Sequence, residues 1–199
     1  MRPRHQPRRT RWTALAGLTA AAAALLATVA FAAPSKTAVI PDKAKDVSGV
    51  LDLQKASLKL ADDGRLRVVV TFVGKVDPRT MIARSGPPGS VCLKVWTDED
   101  ADPKAERPDR LVCVTPRSKD ELRASVFEQT GPGLPKLSGS ASVRVNKSAR
   151  SLVLRVSQSA LGRPAAIRFA IESTRPGCER VSCVDEAPDG GAVRRFRLR

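Results

Sequence analysis

The sequence predicts an all-β protein, an antiparallel β-sandwich of about nine strands with two disulfides. Three observations point there. Short runs alternate apolar and polar residues between Gly, Pro and Asp turns. No amphipathic stretch reaches the roughly 10–12 residues of an ordinary helix. Four cysteines follow an N-terminus of the exported type, so they enter an oxidising compartment where cysteines pair.

The leader comes first. Arg2, Arg4, Arg8, Arg9 and Arg11 precede an apolar run from Ala14 to Ala33 that ends in VAFAAP. A basic start, an apolar middle and a small-x-small end (Ala30, Phe31, Ala32) predict a signal peptide over 1–32, cut after Ala32. The alternative is an uncleaved anchor, because about 20 apolar residues span a bilayer. Arg8–Arg9 leaves the export route open. With residues 1–32 removed, 30 basic residues face 20 acidic ones, and the only histidine, His5, is gone. About 167 residues remain, enough for one domain with one core. The predicted localisation is secreted or cell-envelope associated, with no membrane contact after cleavage.

Residues 33–46, APSKTAVIPDKAKD, read as a flexible lead-in to a single domain over 47–199. Two strands follow around Asp62-Asp63-Gly64, a tight-turn signal because Gly accepts positive φ. The second, RLRVVVTF, reads as central and covered on both faces. Strands follow at 90–97, 110–116 and 121–129. TGPGLPKLSGS breaks the chain, and SVRVNKSARSLVLRVS forms a hairpin around 146–150. SQSALGRP reads as one helical turn, followed by AAIRFAIEST and AVRRFRLR as strands. In the last, Phe196 and Leu198 face inward and arginines outward.

The cysteines read as staples. Cys92 and Cys113 lie in two strands flanking one acidic loop, where a hairpin brings them face to face. Cys178 and Cys183 are close neighbours in a turn-rich stretch and pair most simply with each other. A zinc site needs four Cys/His ligands in close pairs, and a redox centre needs C-x-x-C before a helix. Neither pattern is present.

Candidate sites are few. Asp98, Asp100, Asp102 and Asp109 imitate a calcium loop, but Pro103 stands where the turn glycine belongs. Asp46 and Asp52 form a second acidic pair, better suited to capping a turn than to holding metal. No metal or other cofactor is assigned. Trp96, the one tryptophan beyond the leader, is the sole ligand-binding candidate, as a platform for a sugar ring; packing beside a disulfide is the alternative. Without histidine there is no Ser-His or Cys-His nucleophile pair, so no catalytic residue is assigned and the chain reads as non-enzymatic.

SGVLDLQKASLKLADDGRLRVVVTF and IESTRPGCERVSCVDEAPDGG resemble the opening and closing segments of exported, largely uncharacterised actinobacterial proteins. More distantly, the opening resembles carbohydrate-binding sandwiches of the DOMON and family 9 type. The resemblance implies export and a β-sandwich, and carries no functional residue. The expectation is a secreted, non-catalytic binding or structural module touching cell-envelope glycans or anionic wall polymers. An exported carboxylate-dependent hydrolase, or an accessory subunit of one, is the alternative. Basic residues are spread along the chain with no dense run and no interleaved aromatics, which argues against dedicated nucleic-acid binding.

Overall fold

The computed structural model describes residues 37–97, 106–148, 150–178 and 180–199. The signal peptide expected over 1–32, residues 33–36 of the lead-in, and most of the acidic loop after Trp96 lie outside the described residues. None of the described helices is long and apolar enough to cross a membrane.

Eleven strands form: β1 (Thr37–Pro41), β2 (Leu53–Leu60), β3 (Arg65–Phe72), β4 (Ser90–Trp96), β5 (Arg110–Pro116), β6 (Leu122–Glu128), β7 (Lys136–Asn146), β8 (Ser151–Ser157), β9 (Ala166–Thr174), β10 (Val184–Ala187) and β11 (Arg194–Arg197). All pairings are antiparallel. They run in one continuous order, β1-β2-β3-β8-β7-β6-β5-β4-β9-β10, with β11 also on β9. β10 pairs with Ile171–Thr174 and β11 with Ala166–Phe169, so the two short strands share one edge of β9 end to end. β1 then meets β11, and β2 meets β10. The result is a nearly closed barrel, where a sandwich of about nine strands was expected. Period-two alternation says that one face of each strand is buried. It does not say whether the opposing face belongs to a second sheet or to the same sheet curled round.

The lead-in expectation is corrected in the same way. Thr37–Pro41 pairs with β2 from Thr37↔Lys59 to Pro41↔Lys55, and Ile40 is buried at 1 % exposure. The Gly/Pro-rich stretch ends in an 11-residue strand rather than a loop. β7 spends its first half on β6 and its second on β8, and a bulge at Val126/Phe127 lets it turn between them. The tight turn at Asp62–Gly64 is present, with Gly64 at φ 73°, as is the short helical turn Ser159–Leu161.

One core fills the interior. Leu58, Leu66, Val68, Phe72, Leu93, Val112, Val126, Leu154, Ile167, Phe169 and Phe196 all belong to it. Both disulfides form as expected, Cys92–Cys113 and Cys178–Cys183. Cys92 and Cys113 are direct cross-strand partners on β4 and β5. Among the described residues no cysteine is free. Two disulfides fit an oxidising, extracytoplasmic setting.

Candidate anion-binding face

The registers of β2, β3, β8 and β7 determine which side chains share the outer wall. Lys59 lies opposite Arg67, Arg67 opposite Arg155, and Arg155 opposite Ser142. These residues alternate with Leu58, Leu66, Leu154 and Val143, which turn inward, so the barrel core itself directs the cations outward. Arg65 lies two residues from Arg67 on the same face, and Arg144 two residues from Ser142. Lys147 follows β7 in the turn. Together Arg65, Arg67, Arg144, Lys147 and Arg155 line an open depression of about 770 Å³, with Val153 also in its lining.

Like charges directly opposite on neighbouring strands are unfavourable. Here three cations stand in one row, Lys59–Arg67–Arg155, with strands about 4.8 Å apart. The compensation is thin. Arg155 Nη1 reaches Asp63 Oδ2 at 3.8 Å, and Asp63 already accepts the Arg65 amide at 3.0 Å. No other ion pair to this group forms among the described residues. Val69, expected to be covered on the outer side of β3, is only half-buried there. The wall is therefore solvent-facing and basic.

Trp96 lies elsewhere. It is 3 % exposed, packs against Ala170 and Val193, and donates its indole N–H to the Glu106 carbonyl at 3.1 Å. The Lys94 ammonium lies 5.9 Å from its ring centre. An indole so covered offers no face to a sugar, so the platform role expected for Trp96 is not supported by its position. Burial pulls the Lys94 pKa down, but hydrogen bonds and charges from Glu186 and Glu172 outweigh it and raise the value above the usual lysine range.

Of the calcium-loop acids, Asp98, Asp100 and Asp102 lie outside the described residues. Asp109 braces the end of β4 instead, accepting from the Thr97 amide at 2.7 Å and the Thr97 hydroxyl at 2.8 Å. The C-terminal strand follows its alternation: Phe196 and Leu198 are 4 % and 5 % exposed, with Arg194, Arg195 and Arg197 outward.

A second concentration of charge forms at the barrel seam. Asp52 behaves as the expected cap: both its oxygens accept the Lys45 amide, at 3.0 and 3.1 Å, where Lys45 holds φ 72°. Its neighbour Asp46 instead joins Asp42 and Asp185, with one carboxylate oxygen from each lying within 4.8 Å of the others. Asp185, on β10, is 3 % exposed and accepts the Leu53 amide at 2.6 Å. Burial, then the charges of Asp185, Asp189, Asp46 and Asp52, push the Asp42 pKa up to about 7. Burial first, against the favourable Leu53 amide, and then Asp46, Asp52 and Asp189 push Asp185 up to about 6.

No family model matches the chain, and no curated protein matches it. The assignment of function therefore rests on these residues alone.

Proposed function

We propose that this chain is an extracytoplasmic, non-catalytic binding module that holds an anionic polymer of the cell envelope on the outer wall of β2-β3-β8-β7. One observation carries the reading: the Lys59–Arg67–Arg155 row, extended by Arg65, Arg144 and Lys147, places cations side by side with one distant carboxylate to offset them. A repeating polyanion supplies the counter-charge that the protein does not. Arginine suits the task, since its planar fork pairs with phosphate or carboxylate through two hydrogen bonds. The non-catalytic part rests on chemistry. The only histidine lies in the leader, and the buried carboxylates sit at the seam, away from the registers that build this wall.

The test is retention on purified cell-wall polymer and on a heparin column, with neutral glycan as control. The native protein is expected to bind both polyanions, weakening roughly tenfold between 50 and 300 mM salt. The triple change Arg67→Ser, Arg144→Ser, Arg155→Ser is expected to abolish retention while leaving the circular-dichroism spectrum unchanged. Salt-independent retention, or equal retention of the triple variant, overturns the proposal.

A further inference from the structure

We propose that the barrel seam is a divalent-cation site, suited to calcium by its three carboxylate donors, built from Asp42, Asp46 and Asp185. The inference is independent of the anion-binding wall and uses none of its residues.

Three features carry it. The first is convergence. Asp42 and Asp46 come from the connection between β1 and β2, and Asp185 from β10, about 140 residues later, yet one oxygen of each lies within 4.8 Å of the others. Oxygens bound to one calcium ion at about 2.4 Å lie no more than about 4.8 Å apart, and the three oxygens meet that limit. Magnesium is usually held by one or two carboxylates and keeps several waters, so three converging protein carboxylates favour calcium.

The second feature is an unpartnered carboxylate. Both oxygens of Asp42 have less than 1 Å² exposed, and neither accepts a hydrogen bond. A buried carboxylate without donors costs several kcal/mol unless it takes a proton or a cation. Its neighbours are acids, and among the described residues no lysine or arginine pairs with Asp42, Asp46 or Asp185.

The third feature is access and placement. Asp46 and Asp189 are exposed, and a depression of about 400 Å³ beside them, lined also by Asp185 and Gly190, reaches two of the three carboxylates. The Leu53 amide holds one oxygen of Asp185, which orients the side chain as a positioned ligand needs. The site joins the beginning of the strand order to its end. Ser173 Oγ already donates to the Leu51 carbonyl across this seam at 2.6 Å. A cation here clasps the seam of the barrel.

The experiment is calorimetric titration and thermal unfolding of the whole exported chain, first stripped with chelator. One calcium is expected to bind, and 2 mM calcium chloride is expected to raise Tm by about 5 °C, with magnesium giving a smaller shift. Asp46→Asn, on the exposed side and outside the core, is expected to weaken calcium binding at least tenfold. Asp42→Asn is expected to remove the calcium shift while leaving the stripped protein as stable as native, because it also removes the buried charge. No shift with calcium, a shift matched by sodium chloride at equal ionic strength, a larger shift with magnesium, or unchanged affinity in Asp46→Asn each overturns the assignment.

Discussion

At the scale of single residues, Lys94 shows how one position governs a local environment. Its ammonium donates to Glu172 Oε2 at 3.2 Å and to Glu186 Oε1, and it lies near the ring of the buried Trp96. Removing it leaves two carboxylates facing each other with no cation between them. Lys94→Met is expected to cost about 2 kcal/mol in urea unfolding at pH 7, less than a fully buried pair because Lys94 keeps some contact with solvent. The sign of the pH dependence follows from the raised pKa. Lys94 binds its proton more tightly folded than unfolded, so its contribution is complete below about pH 10.5 and disappears as pH rises through the higher folded value. The stability gap between native and Lys94→Met is expected to narrow as pH rises above about 10.5, and a gap that does not narrow contradicts the ion-pair account. Little of this was visible in the sequence. Trp96 stood out as a lone aromatic, but its cover, Ala170, Val193 and the Glu106 carbonyl, comes from three separate stretches. Asp46 and Asp52 stood out as a pair, yet they serve different ends, one in a cluster with Asp42 and Asp185 and the other on the Lys45 amide.

At the scale of elements, strands with strong alternation and a tight turn were legible. β2, β8 and β9 follow their sequence patterns closely, because the apolar periodicity is also the burial pattern, whereas β3 buries one face only. β1 and β10 were not. They are short, and β10 turns Asp185 toward the interior at a position where alternation calls for an apolar side chain. β1 is an element only because β2 is there to receive it. Ile40→Ala is therefore expected to cost about 2–4 kcal/mol in chemical denaturation, as for a core residue. A flexible lead-in would give a change near zero. The disulfides were legible because pairing follows from strand opposition and from proximity in the chain. Their sequence separations, 21 and 5, set different stabilising contributions in the loop-closure account. Replacing Cys92 and Cys113 together with serine is expected to cost about 3 kcal/mol, and replacing Cys178 and Cys183 about 2 kcal/mol. An inverted order would mean that the longer loop is already compact in the unfolded chain.

For the whole molecule, closure and charge are the properties that matter. The described strands form one unit around one core, so urea unfolding is expected to be a single transition. Within this unit like charges gather in two places, cations on the outer wall and acids at the seam. Salt screens chiefly the exposed wall, because the seam acids are largely buried. Raising sodium chloride from 10 to 300 mM is expected to raise Tm by about 2–4 °C, and a fall in Tm would mean that attractive pairs dominate the surface. By itself the sequence determined the all-β class, the two cysteine pairs and the basic charge, because alternation, turn residues and composition are local or additive quantities. Only the tertiary structure decided that the sheet curls into a barrel, that scattered arginines share one wall, and that Asp42, Asp46 and Asp185 meet. Each of these depends on register between strands far apart in the chain, and register is a property of the closed sheet.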